Sequence, residues 1–365
     1  MATEYRASKE QAYFAASNSR NGFHSYYEQC FRHKVDRLLY IKGGPGTGKS
    51  TLMRRVARYG EARGYRAEYY YCSSDADSLD AVLLYGKQGS VGLLDATAPH
   101  AMEPTLPGVA EEWIDLGQFW NADALAARRE EIVQLNQQKS DGYRAAYRYL
   151  AGAGEISDVL WDAVVPCVDV TKLSRTAARL LKGTAKRERR GNVSIGLCDS
   201  VGMRGRVRLD TYLRQAARVC LIEDYLDAAY LLTRELGQRA TEQGIDVRVS
   251  YHPILPDRID ALMLEDSKTV FLVCEAEKIE DLRAVAPHGR VVSMRRLVEP
   301  TVMRGKRESI RQTYRLREAL IGGAQDELKK VSRAHFELES IYSAAMDFEA
   351  KERYTGALCE RLFGR

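Results

Sequence analysis

Apolar residues in this chain fall into two patterns. Short continuous runs are bounded by polar or glycine-rich turns, and longer stretches repeat their apolar positions at helical spacing. Leu38-Leu39-Tyr40-Ile41, Ala67 to Cys72, Val91 to Asp95 and Ile114-Asp115-Leu116 belong to the first kind and predict strands. Thr51 to about Arg63 belongs to the second, with Gly64 as its stop. Phe23 to Phe31 predicts a short amphipathic helix, and Ser73 to Ser78 predicts a loop that caps another. A charged helical pattern runs from Asp123 to about Leu150, and a second from Ile156 to Val164. Strands alternating with helices predict an α/β fold with a mainly parallel sheet.

The pattern recurs. Gly64 and Gly244 stand 180 residues apart, and the strand-like stretches that follow them match in register. At that offset Asp77 and Asp80 meet Asp257 and Asp260, and the run ending in Asp95 meets one ending in Glu275. Further on the offset drifts to 178, where Ile114, Leu116, Phe119 and Arg129 meet Val292, Met294, Leu297 and Arg307. Two copies of one unit are expected, at about 13–165 and 195–358, each an αβ core followed by a helical hairpin. The domain reading is 1–165, a basic helical linker at 166–194, and 195–365.

One loop carries the chemistry. Gly43-Gly44-Pro45-Gly46-Thr47-Gly48-Lys49-Ser50, followed by Thr51, fits the phosphate-loop pattern at every fixed position, between a strand and a helix. Glycines let backbone N–H groups turn inward around an anion, and the helix N-terminus adds further donors and a partial positive charge. The expected ligand is ATP with Mg²⁺. Lys49 would reach the β- and γ-phosphates, and the Ser50 hydroxyl would bind the metal. The two cores are therefore read as P-loop NTPase-like. At the 180 offset copy two has Glu223, Asp224, Ala229 and Tyr230 in place of Gly43, Gly44, Lys49 and Ser50, so it should bind no nucleotide through this loop.

Other candidates follow from position. Asp95 ends its strand as an acid that would hold Mg²⁺ beside Ser50, or else caps structure. Asp75, at the carboxyl end of a strand, would accept a proton from water or substrate, or simply cap its turn. Thr97 and His100 would orient an attacking water or sense the γ-phosphate, with a structural role as the alternative for His100. Asp77 and Asp80, present in both copies, are read as caps of the short helix after the strand, with a catalytic role as the alternative. Lys172 to Arg190 is strongly basic. It is read as a solvated helical face, a nucleic-acid contact, or a source of an arginine that reaches phosphate.

The whole-chain numbers add little. A net charge of +5 over 365 residues is a mild excess. Seven scattered cysteines without a C-x-x-C pair argue against a disulfide framework or zinc site. Neither a signal core nor an apolar run near the ~18 residues of a membrane helix is evident, so a cytoplasmic protein away from membranes is expected.

The stretches Asn21 to Tyr27, Lys42 to Met53, Cys72 to Asp80 and Asp95 to His100 resemble a bacterial family of two-repeat P-loop ATPases. The likeness covers about residues 13–125 and implies ATP binding. In that family both repeats usually keep a phosphate loop, whereas here the second has lost it. The expected function is Mg-dependent ATP hydrolysis coupled to conformational change. The alternatives are a small-molecule or nucleotide kinase, and an ATP-gated binding module without turnover. Nucleotide is the expected ligand, with a protein or small-molecule partner, and a second protomer, left open.

Overall fold

The computed structural model describes residues 3–6, 11–99, 101–184, 186–286, 289–299 and 305–364. Two six-stranded sheets dominate it, and they share one topology. In the first the order is Gln11–Phe14, Arg66–Tyr71, Leu79–Gly86, Gly89–Asp95, Arg37–Lys42, Glu111–Asp115. In the second it is Val193–Ile195, Val247–Tyr251, Ile259–Leu264, Thr269–Cys274, Arg218–Glu223, Arg290–Ser293. In each sheet one antiparallel strand, Leu79–Gly86 or Ile259–Leu264, interrupts otherwise parallel pairing. The expected tandem α/β cores are thus present.

The strand Arg37–Lys42, paired on both sides, buries Leu38, Leu39, Tyr40 and Ile41 completely or nearly so. That explains its unbroken apolar run, since a parallel strand is covered on both faces. The helix after it, Lys49–Glu61, buries Leu52, Met53, Val56, Ala57 and Gly60, a stripe at helical spacing. Its counterpart Ala229–Glu242 buries Leu232, Thr233, Leu236, Gly237 and Ala240, each 180 residues on.

Three local expectations change. Gly22–Ser25 is a strand paired with Ala16–Ser19, and only Tyr27–Phe31 is helical. The short helix expected after Ser78 is the strand Leu79–Gly86, whose run Ala81-Val82-Leu83-Leu84 is fully buried between two neighbours. The sheet also corrects the repeat register. Ala81 pairs with Leu94, and Ala261 with Leu272, so Asp95 corresponds to Val273 and not to Glu275. The hairpin is two residues shorter in copy two (94 less 81 against 272 less 261), and the offset slips there.

The expected helical hairpins are exchanged between the cores. Arg129–Val164 is one continuous helix, and it packs along Arg307–Ala344. Its contact stripe includes Gly142, Ala146 and Ala153. A Cβ added at Gly142 would lie 2.6 Å from a Val331 methyl, so the glycine lets the helices close. Beyond each long helix the chain crosses over. Val170–Leu180 packs on Ala229–Glu242 of the second core, and Phe348–Phe363 packs on Lys49–Glu61 of the first. The crossings are sealed by matching backbone bonds. Asn121 N–H donates to Ala345 O (2.7 Å) and Asp347 N–H to Phe119 O (2.7 Å). Their counterparts 178 residues away are Glu299 N–H to Cys167 O (2.8 Å) and Asp169 N–H to Leu297 O (2.8 Å). The first helix of the linker is therefore part of the second core's packing, with Leu173 and Ala177 buried there.

The cores also meet directly. Tyr26 stacks on Tyr251 at 5.4 Å, and each core's hairpin tip bonds the other core's loop: Arg20 N–H to Ile254 O (3.0 Å), Met203 N–H to Ser74 O (2.8 Å). All seven thiols are free. No helix among the described residues is long and apolar enough to cross a membrane.

Candidate functional site

The phosphate loop leaves the carboxyl end of Arg37–Lys42. Gly46 and Gly48 hold φ of 70° and 80°, a left-handed region in which a side chain is strained, and the helix starts at Lys49. Thr47 is fully buried, and its hydroxyl donates to Gly44 O at 2.8 Å, pinning the turn. Lys49 Nζ donates to Gly43 O (2.8 Å) and Gly44 O (2.9 Å) and lies 3.5 Å from Asp95 Oδ2. The sequence pattern assigns Lys49 and Asp95 to one site, and the fold brings them together. The other oxygen of Asp95 accepts the Thr97 N–H at 2.9 Å and the Thr97 hydroxyl, which fixes the carboxylate's orientation. Ser50 Oγ accepts the Leu79 N–H at 2.9 Å, and Thr51 Oγ1 donates to Gly48 O at 2.8 Å. Asp75 accepts the Asp77 N–H (3.3 Å) and faces Arg204 of copy two (3.8 Å), so it closes its own turn and ties the two cores. His100 lies outside the described residues.

Nothing in the chain's apolar pattern signals what covers the loop. The last turns of Arg307–Ala344 form a roof. Ser343 Oγ donates to Gly46 O at 2.9 Å, and a Cβ on Gly44 would meet the Tyr342 ring at 3.0 Å. A Cβ on Gly46 would stand 2.3 Å from Glu339 O, so glycine is required there for closeness as well as for φ. The Glu339 carboxyl is held below the usual carboxylate range, chiefly by its bond with His335, with help from the Lys49 charge and the Gly46 N–H. The loop thus already faces one of the chain's own anions. Lys351 of the exchanged C-terminal helix reaches Thr51 Oγ1 at 3.1 Å and braces the start of the loop helix.

Copy two shows what the same loop becomes without its glycines. The strand register aligns Lys42 with Glu223, and the helices align Lys49 with Ala229, so the loop is one residue shorter. Asp224 turns its carboxylate into the hollow, where it accepts N–H groups of Asp227 (2.9 Å) and Ala229 (2.9 Å). A carboxylate of the loop itself fills the cradle. Arg258 and Arg317 then bind Asp227, both at Oδ2, at 2.9 and 2.6 Å. Half-buried His252 accepts the Ile254 and Leu255 N–H groups at Nδ1, and desolvation and the surrounding arginines keep it neutral.

The Asp224 carboxyl is pushed up to about 6, by burial first and by the Asp227 carboxylate second, against the pull of backbone N–H groups. A raised acid favours the folded state while it is protonated. Its contribution is therefore full below the unfolded value of 3.8 and is lost as pH rises through about 6. In urea titrations, Asp224→Asn is expected to gain stability relative to the natural protein as pH goes from about 4 to about 7. A constant difference between the two would contradict this.

The basic linker is remote from the first loop. Arg187 and Arg189 pair with Asp246 at the amino end of Val247–Tyr251, the end of the sheet opposite the loops, and Lys172 pairs with Asp169.

A family model described as Nephrocystin 3, N-terminal, matches residues 23–84, which span the phosphate loop, its helix, the strand Arg66–Tyr71 and most of Leu79–Gly86. No curated protein and no solved structure matches the chain.

Proposed function

We propose that the chain is a P-loop ATPase of two-repeat design, with one Mg-ATP site in the amino-terminal repeat and a second repeat that serves as scaffold. The observation that carries this reading is the contrast between the loops. One leaves its glycine-lined hollow without a carboxylate of its own and points Lys49 at it, while the other fills the hollow with Asp224.

The donor set suits the ligands. Backbone N–H groups from Gly44 to Lys49 would cradle phosphate oxygens. The Ser50 hydroxyl and the Asp95 carboxylate are hard oxygen donors of the kind Mg²⁺ takes, and both lie at the carboxyl edge of the sheet. Magnesium, when bound, neutralises charge on the β- and γ-phosphate oxygens. Lys49 would exchange its two carbonyl partners for phosphate, and Thr97 would keep Asp95 oriented. The Glu339 side chain would have to withdraw from Gly46, because two anions cannot share one cradle. That withdrawal links occupancy of the loop to Arg307–Ala344 and supports hydrolysis coupled to conformational change.

The test is phosphate release from Mg-ATP by the purified protein. Release without any added acceptor, lost in Asp95→Asn, is the expected result. Loss of ATP only when an acceptor is present would favour a phosphotransferase, and binding without either would favour a nucleotide-gated module.

A further inference from the structure

We propose that Lys139 is the second cation of the phosphate site, carried by the long helix Arg129–Val164 to contact the γ-phosphate of a bound nucleoside triphosphate. The inference rests on the phosphate-loop reading above and goes beyond it, since nothing in the loop motif points to this residue.

Placement comes first. Leu135 and Tyr143 lie one turn to either side of Lys139 on the same helix face. Leu135 packs with Leu338 and Ile341, against Tyr342, whose ring covers Gly44. The Tyr143 hydroxyl bonds Ser74 Oγ at 2.8 Å, in the loop that follows the strand Arg66–Tyr71. Lys139 is thus held between the roof of the phosphate loop and the Ser74 loop. Other cations described at this end of the sheet are engaged. Lys42 holds Ala96 O and Glu103, Arg54 holds Asp77 O, and Arg204 holds Asp75 and Asp77. Lys139 is half-buried and makes no hydrogen bond or ion pair among the described residues. Its ammonium is pulled below the usual lysine range, by burial first, with Lys49 adding repulsion and Glu339 opposing it.

The second copy supplies the geometric control. The crossings fix the helix offset at 178, which carries Lys139 onto Arg317. Arg317 reaches the degenerate loop, with Nη1 2.6 Å from Asp227 Oδ2. Asp227 in turn corresponds to Gly46 by its place after the strand and by its left-handed φ, 65° against 70°. A cation at this helix position therefore touches the loop, and in copy two the loop provides the acid that receives it. Copy one keeps the cation and replaces the acid with glycine. The missing counter-charge is what a terminal phosphate would bring, and a second cation there would also meet the charge that builds up on the transferred group.

The experiment compares MgAMP-PNP with MgADP by calorimetry on the full chain, for the natural protein, Lys139→Ala, Lys139→Arg and Lys49→Ala. Loss of one charged hydrogen bond should weaken MgAMP-PNP about 10–100-fold in Lys139→Ala. MgADP should stay within about threefold and Lys139→Arg should keep most of the affinity, since the same charge remains within reach. If the natural protein turns over ATP, Lys139→Ala should lose about 100-fold or more in rate. Equal effects on both nucleotides, or none on either, would overturn the assignment. So would absence of nucleotide binding by the natural protein, which defeats the loop reading too. Unchanged binding by Lys49→Ala defeats the loop reading and the Lys139 assignment with it, whereas loss of binding in Lys49→Ala with none in Lys139→Ala defeats the Lys139 assignment alone.

Discussion

Lys49→Met is expected to lower Mg-ATP affinity by about 100-fold or more, because on the proposed reading it removes an ammonium that would make two or more charged hydrogen bonds to phosphate. The measurement is calorimetric titration or displacement of a fluorescent nucleotide. An ion pair complicates the readout. Lys49 lies 3.5 Å from Asp95, and both side chains are largely shielded, at 13% and 11% exposure. Removing the lysine alone leaves Asp95 under cover without its cation, so part of any lost binding will be lost stability. A double variant, Lys49→Met with Asp95→Asn, separates the two. The amide oxygen that Asp95→Asn introduces still accepts from Thr97, so melting should recover towards the natural protein while nucleotide binding stays absent. Recovery of binding in the double variant, or full binding by Lys49→Met, would place the phosphate elsewhere.

The features legible in the sequence are those with local causes. A strand buried on both faces must be apolar throughout, as Leu38 to Ile41 is, and a loop that turns its N–H groups inward must spend glycines. The repeat is legible because both copies meet the same packing demands. Copy two's loss of the loop is legible because its residues Asp224 to Ala228 hold no glycine, although the 180 offset misplaces Glu223, which the strands align with Lys42. Leu79–Gly86 is hidden because a continuous apolar run has no period of its own, and the Ser-Asp cluster before it imitates a helix cap. Asp95 aligns with Glu275 along the chain because a two-residue change in a hairpin is invisible until the strands are laid side by side. The roof over the loop cannot be read at all. Glu339, Tyr342 and Ser343 belong to a helix whose pattern reports only that one face is apolar, and which core it covers is decided by the crossing at Ala345. The signal for Lys139 is present in the 178 offset, but it acquires meaning only once Arg317 is seen on Asp227.

The exchange of terminal helices leads to the other large effect. A chain ending at Met346 is expected to lose nucleotide binding and to unfold first in its amino-terminal core, some three hundred residues from the cut. Phe348–Phe363 covers Lys49–Glu61, not the core it follows, and it buries Leu358, Cys359 and Phe363 in the cluster that holds Leu52, Met53 and Val56. Burial of a Leu or Phe side chain contributes about 1.5–3 kcal/mol. The helix therefore supplies a large fraction of the ~5–15 kcal/mol that a domain has in hand. The cut also removes Lys351 from Thr51 and Arg361 from Glu112, which brace the loop helix and the edge strand. The second core keeps its own borrowed helix, Val170–Leu180, and should stay folded. Limited proteolysis with fragment mapping reads the order: early cuts within about residues 37–115, late cuts within about 218–293, as differential local stability requires. Phe363→Ala is the milder form, expected to cost about 3–5 kcal/mol and to act on the same core. If the shortened chain binds nucleotide normally, or opens first in the carboxyl-terminal sheet, the helix does not hold the first core in the way its packing demands.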